Sequence, residues 1–403
     1  MIIPILTLLI VAATIIGIAA GRWPFIRADR TTIALIGSAL LLGIGAVSLE
    51  EAYVALDLDT ILLLFSMMVI NGSLFLSGFF GLITQRVVQF ARGPRSLLAL
   101  VIGASGVLSA LFLNDTIVLI MTPIVLDVTR TLRRNPLPYL IGLAVAANIG
   151  STATITGNPQ NMIIGNSSNI PYLDFAIALT PTALIGLVIC WFIVVLVYRD
   201  EFRSGTLTAP DVLRIRIYRP LLRKAALVIS FMLIAFLIGV PVPLAAFLAA
   251  ATLLTTRRLR PERVFKTIDW NLLTFFAGLF VVTHALDVQG WTELLFTTLL
   301  PLAQAGMVPF GIVSVILSNL ISNVPAVLLL QELVPAFADQ QRAWLTLAAT
   351  ATLAGNLTLL GSVANLIMAE LAARWGVRVS FSAYLKVGLP VTILTVIVSL
   401  VLV

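Results

Sequence analysis

The 403-residue chain is 60% hydrophobic and only 11% charged, against roughly a quarter charged in soluble proteins. Its mean hydropathy of +1.09 and apolar runs recurring from end to end exclude a water-soluble domain and imply a polytopic membrane protein. The net charge of +7 then speaks to orientation, because Lys and Arg collect in cytoplasmic loops, and not to a nucleic-acid partner.

The first apolar stretch, about 2–20, is too long for a secretory signal and lacks its basic start and small-residue cleavage pattern, so it reads as a first span. Further spans are expected at about 31–49, 60–80, 139–165, 177–198, 225–239, 243–256, 270–288, 343–371 and 386–403, which makes ten crossings. Two remaining apolar regions, about 96–129 and 307–337, are too long for one straight crossing, and each carries a polar Asn motif near its middle. Each is expected to be a re-entrant helical hairpin lining the bundle interior, because irregular backbone at membrane depth needs protein or water to satisfy it. The layout gathers the basic residues on one side: Arg22, Arg27 and Arg30, then Arg86, Arg92 and Arg95, then Arg130, Arg133 and Arg134, the linker 199–224, the stretch 257–266, and Arg374, Arg378 and Lys386. Arg342 alone falls opposite, among Glu50, Glu51, Asp57, Asp59, Asp174 and Asp339. Both termini are then expected outside a cytoplasmic membrane and the linker 199–224 in the cytoplasm.

The halves on either side of that linker, 1–198 and 225–403, share three short patterns in the same order. Asp59-Thr-Ile-Leu-Leu-Leu-Phe resembles Asp269-Trp-Asn-Leu-Leu-Thr-Phe, and Leu113-Asn-Asp-Thr-Ile-Val-Leu answers Ser322-Asn-Val-Pro-Ala-Val-Leu. Gly157-Asn-Pro-Gln-Asn-Met-Ile answers Gly361-Ser-Val-Ala-Asn-Leu-Ile, with Asn148 and Asn356 preceding them as matched residues. Each half would hold five spans and one hairpin, and an odd number of crossings sets the copies in opposite orientations, the inverted repeat of many secondary transporters.

The segment 146–165 is too polar and too rich in Gly and Pro for a lipid-facing helix, so spans 139–165 and 343–371 are expected to be interrupted, with Gly150 and Gly157 permitting unwinding and Pro159 starting a second half-helix. Unwound backbone and half-helix ends near the midplane offer partial charges of both signs, the chemistry of a small-solute or ion site. Two broken helices and two hairpin tips would converge there. Asp115 is the one acid within these motifs; a carboxylate inside an apolar hairpin is costly unless paired, hydrated or protonated, which makes it the candidate for proton coupling. His284 and Asp287 are expected near the outer end of their span as interface residues. The single His, the single Cys190 and the absence of His-Glu-x-x-His, Gly-x-Ser-x-Gly and P-loop patterns leave no basis for a metal, a cofactor, an enzyme or an ATP-driven pump within this chain.

These motifs, Asn-Asp-Thr and Ser-Asn-Val-Pro with the two Gly- and Asn-rich breaks, resemble the ion transporter superfamily over essentially the whole chain. That group includes arsenite efflux permeases of the ArsB type, silicic acid effluxers, sodium/proton antiporters of the NhaD type and sodium-coupled dicarboxylate carriers. The resemblance implies alternating access and a site on Asn114, Asp115, Thr116, Asn148, Thr152, Thr154, Asn158 and Asn161 in the first half. In the second half it implies Ser322, Asn323, Asn356, Thr358, Ser362 and Asn365. It also implies a homodimer, and the basic linker is a candidate contact for a separate ATPase subunit. The chain departs from the repeated Ser-Asn-Thr of the dicarboxylate branch, and no Lys or Arg lies in the motifs to balance a dianion beside Asp115. The expectation is therefore export of arsenite, with antimonite, in exchange for protons, with sodium/proton exchange or sodium-coupled anion transport as the alternative.

Overall fold

A computed structural model of the chain describes residues 2–20, 28–203, 217–255 and 260–403. Arg22, Arg27, most of the central linker and the stretch 256–259 lie outside the described residues. All regular structure among the described residues is helical. The first half runs α1 (Ile2–Ala20), α2 (Arg30–Gly43), α3 (Leu49–Ala55), α4 (Leu58–Ser77), α5 (Phe79–Phe90), α6 (Pro94–Leu111), α7 (Asn114–Thr131), α8 (Pro136–Ser151), α9 (Pro159–Ser168) and α10 (Tyr172–Val197), closing on the short α11 (Arg199–Phe202). The second runs α12 (Arg219–Leu237), α13 (Val242–Leu254), α14 (Pro261–Phe265), α15 (Trp270–Val288), α16 (Trp291–Ala305), α17 (Met307–Ile321), α18 (Asn323–Leu330), α19 (Gln340–Ala354), α20 (Val363–Arg374) and α21 (Phe381–Leu402). Seven of these, α1, α4, α6, α10, α12, α15 and α21, are long and apolar enough to cross a bilayer.

Each expected span holds a helix, the two long regions fold as the hairpins α6–α7 and α17–α18, and both interrupted spans break. In the layout of helices, three features differ from the sequence reading. The region 31–49 is cut at Gly43, turns through Gly45 at φ 70°, and restarts as α3 behind a capping box in which Ser48 and Glu51 exchange hydrogen bonds of 3.1 and 2.7 Å. Helices α5 and α16 were not expected; each follows a span through a left-handed glycine, Gly78 (φ 82°) and Gly290 (φ 74°), which ends one helix and starts the next without an intervening polar loop.

Element order repeats across the halves. Arg30 and Val242, Leu58 and Trp270, and Phe79 and Trp291, which open matching helices, are each 212 residues apart. Packing repeats too: α2 lies on α15 as α13 lies on α4, α6 on α8 as α17 on α19, and α7 on α20 as α18 on α9. The result is a scaffold of α1, α2, α4, α12, α13 and α15 beside a body of hairpins and broken helices, held together by α10 against α21.

Gly150, read from sequence as a point of unwinding, instead lies inside α8, where an added Cβ would sit 2.1 Å from the Gly106 carbonyl oxygen of α6. Its role is the close approach of two helices, a standard use of small residues in membrane bundles. Gly150→Ala is expected to cost about 3 kcal/mol through overpacking, read as a lower unfolding temperature in detergent. At the far end of α7, Arg134 Nε contacts Glu201 Oε1 at 2.7 Å with both side chains largely buried, and Tyr139 Oη donates to the same carboxylate at 3.1 Å. Glu201→Ala leaves a buried cation behind, so a loss of about 3 kcal/mol is expected in the same assay.

Candidate transport site

Each broken helix is held by one asparagine. Helix α9 starts at Pro159, its cap Asn158 accepting the Asn161 N–H at 2.9 Å, while Asn161 Nδ2 reaches back to the carbonyls of Ser151 at 3.1 Å and Thr154 at 3.0 Å. In the second half, Asn365 Nδ2 donates to the carbonyls of Gly355 at 2.8 Å and Thr358 at 3.2 Å. These pairs fix the register: Asn161 and Asn365, Ser151 and Gly355, and Thr154 and Thr358 are all 204 apart. Asn148 therefore answers Thr352, not Asn356. The cross-contacts agree, since Asn148 Nδ2 donates to Asn365 Oδ1 at 3.2 Å and Thr352 Oγ1 to Asn161 Oδ1 at 3.3 Å.

Asn148 is the node of the assembly. Its side-chain Oδ1 accepts from Asn114 Nδ2 at 3.0 Å and Ser362 Oγ at 3.1 Å, and its Nδ2 also donates to Asn356 Oδ1 at 2.9 Å. One buried side chain thus ties a hairpin tip to both sides of the second break. Thr152 and Thr154 turn inward to local carbonyls, of Asn148 and Ala110 respectively, Asn158 bonds Ser151 and Thr352, and Thr116 is half-buried in the first turn of α7.

Beside this network lies a cavity of about 180 Å³. Of the sequence-derived residues, Asn114, Asp115, Ser322, Asn323 and Ser362 line it, whereas Asn148, Asn158, Asn161, Asn356 and Asn365 form the wall behind. It is met by the first turns of α7, α9, α18 and α20, so four positive helix ends converge on one small volume; Pro159 carries no N–H, and the N–H groups of Asp115 and Asn161 are engaged by Asn114 and Asn158. The Ala364 N–H of α20 is aimed at the Asp115 carboxylate. The Asn323 side-chain oxygen is buried without a partner, and neighbouring Ser322 is held at φ 79°, ψ 155°, a region nearly confined to glycine that costs on the order of 1–3 kcal/mol. The sequence reading missed the scaffold's share of this lining: Arg30 from the first turn of α2, and Asp269 and Asn271 from the start of α15, together with Gln160. That no cation lies in the motifs is true of the motifs but not of the cavity.

A second cavity, of about 320 Å³, lies along the far ends of α9, α15 and α18, lined by Asp57, His284, Asp287 and Glu332. Phe276 lines the first cavity and Phe280 the second, their rings tilted at 52° with centroids 6.0 Å apart, so adjoining aromatic side chains of α15 stand between the two. Among the described residues no group of three or more His, Cys, Asp or Glu side chains is placed to hold a metal ion.

An all-helical bundle with two hairpins and two broken helices meeting at a buried polar cavity is the architecture of a membrane transporter, not of an enzyme. The chain belongs to the citrate transporter family CitMHS, whose model matches residues 18–354. It is 31% identical to the 46 kDa membrane protein of Mycobacterium leprae over 92% of both chains. It is 29% identical to the silicon efflux transporter LSI3 of Oryza sativa subsp. japonica over 87% of both. The crystal structure of the Alcanivorax borkumensis YdaH transporter shares the fold, with a TM-score of 0.58 at 15% identity, covering 99% of this chain and 97% of that one.

Proposed function

We propose that the 180 Å³ cavity is the transport site for a small neutral hydroxylated solute, arsenite and with it antimonite, exported in exchange for protons by alternating access. The observation that carries this reading is the pairing of four helix N-termini with the carboxylates of Asp115 and Asp269 around one cavity. Arsenite near neutral pH is an uncharged trihydroxide, which offers lone pairs to the N–H groups and O–H donors to the carboxylates and to Asn323. A tricarboxylate would bring only acceptors and negative charge against two acids with a single guanidinium to offset them. The rice relative's name refers to silicon, whose neutral form in water is also a hydroxide of this kind. The matched order of helices in the two halves supports two inverted repeats, 1–198 and 225–403, and the gathering of basic residues on one side supports both termini outside the cytoplasmic membrane.

Everted vesicles carrying the chain are expected to accumulate arsenite when a proton gradient, acidic inside, is imposed. Arsenite movement that is absent, or indifferent to the gradient, overturns the reading. The two carboxylates around one small cavity also favour a second reading, sodium/proton exchange, which a sodium-induced pH response without arsenite dependence would select.

A further inference from the structure

We propose that Arg30 is a counter-ion for Asp115 on the cytoplasmic side only, and that this asymmetry between the two scaffold halves gives proton exchange its direction. The inference rests on the transport reading above for its biological meaning, but its structural basis is separate. Arg30 opens α2, a helix N-terminus where a cation is opposed by the helix dipole. Local structure does not account for it: the neighbouring acid, Asp29, is engaged as the helix cap by the Thr32 N–H at 2.8 Å and the Thr32 hydroxyl at 2.7 Å, and none of the ion pairs among the described residues includes Arg30. What Arg30 does face is the cavity and Asp115.

The internal repeat supplies the comparison. Asp269, which caps α15 by accepting the Leu272 N–H at 3.1 Å, has its counterpart 212 residues earlier in Asp57, which caps α4 by accepting the Thr60 N–H at 3.0 Å. The acid is therefore kept in both halves. Arg30 is not kept, because the residue 212 positions later, opening α13, is Val242. Arg30 and Asp269 stand at helix starts adjoining the basic segments read as cytoplasmic, and Asp57 and Val242 stand at helix starts on the face read as outside.

The charged groups facing Asp115 are Arg30 from α2 and Asp269 from α15. Helices α8, α18 and α20 present the uncharged Asn148, Asn323 and Ser362; Arg86 of α5 is exposed, and Arg95 of α6 lies at the end of the hairpin away from its tip. With the cavity open to the cytoplasm, the guanidinium faces the Asp115 carboxylate across it, without direct contact, and its positive charge favours loss of the proton there. In the opposite state, which exchanges the two scaffold halves, Asp115 meets an acid and a valine, a setting that holds a proton. Protons are then picked up outside and released inside, the direction that drives solute outward.

Arg30→Gln, Arg30→Lys and Val242→Arg separate this role from a structural one. In everted vesicles the bath sets the pH of the cytoplasmic face, and Arg30→Gln is expected to need a bath about one unit more alkaline for half-maximal arsenite uptake, with Arg30→Lys near the parent. Val242→Arg is expected to move the profile set by the vesicle lumen about one unit toward acid. A second readout needs no substrate: the infrared band of protonated Asp115, identified by its loss in Asp115→Asn, should persist about one unit higher in pH in purified Arg30→Gln. An unshifted band, or equal shifts in the Gln and Lys variants, overturns the role of Arg30. A shifted band in a protein that moves no arsenite keeps that role and overturns the substrate.

Discussion

Asp115→Asn is expected to abolish gradient-driven arsenite accumulation while leaving arsenite exchange across the membrane in place. Asparagine fills the same space at the first turn of α7 and accepts a hydrogen bond from the Ala364 N–H as the carboxylate would, so the cavity and its helix ends persist. What it cannot do is bind and release a proton. A gradient of one pH unit sustains about a tenfold solute ratio per proton exchanged; the parent should approach that ratio and the variant should relax to about one. Counterflow of arsenite against preloaded unlabelled arsenite is the control, and it should survive. A variant that still accumulates solute in proportion to the gradient would overturn Asp115 as the coupling group without touching the substrate.

The residues that proved legible in the sequence are those whose signal is local. Pro159 starts α9 because a residue without an N–H loses nothing at the first helical position, and the polar tips at Asn114 and Asn323 interrupt apolar runs too long for one crossing. The features that were not legible depend on what lies far away in sequence. Gly150 looks like a hinge in a Gly-rich string, and only the carbonyl of Gly106 across the interface makes it a packing residue. Asn148 and Asn356 looked equivalent because both are asparagines before a break, but the partners of Asn161 and Asn365 set a different register. In the sequence Arg30 reads as one of the basic residues flanking a span and Asp269 as the start of an apolar stretch; their place in the cavity follows from packing the scaffold against the broken helices. Helices α5 and α16 escaped notice because a glycine turn, unlike a polar loop, leaves little trace in a hydropathy profile.

Asn148→Ala is expected to be the most damaging substitution in the polar network, and more so than Asn356→Ala. Removing the Asn148 amide strips partners from Asn114 Nδ2 and Ser362 Oγ at the cavity wall and from Asn356 Oδ1 and Asn365 Oδ1 buried behind it, all at once. With about 1–3 kcal/mol for each buried group left unpaired, and some relaxation among them, a loss of about 4 kcal/mol follows. Asn356→Ala frees only the one Asn148 donor, which still reaches Asn365, and breaks a long contact of 3.4 Å to the Val145 carbonyl, so about 1 kcal/mol is expected. Asn148→Asp tests the direction of the bonds: a carboxylate still accepts from Asn114 and Ser362 but sets oxygen against the oxygens of Asn356 and Asn365, so it should recover less than half of the loss. Thermal unfolding in detergent, with and without arsenite, reads both consequences, because the same side chain that joins the hairpin to the second break also fixes the two tips that line the cavity. If Asn148→Ala unfolds like the parent and still gains stability from arsenite, the network is dispensable to the site and the cavity is held by the helix packing alone.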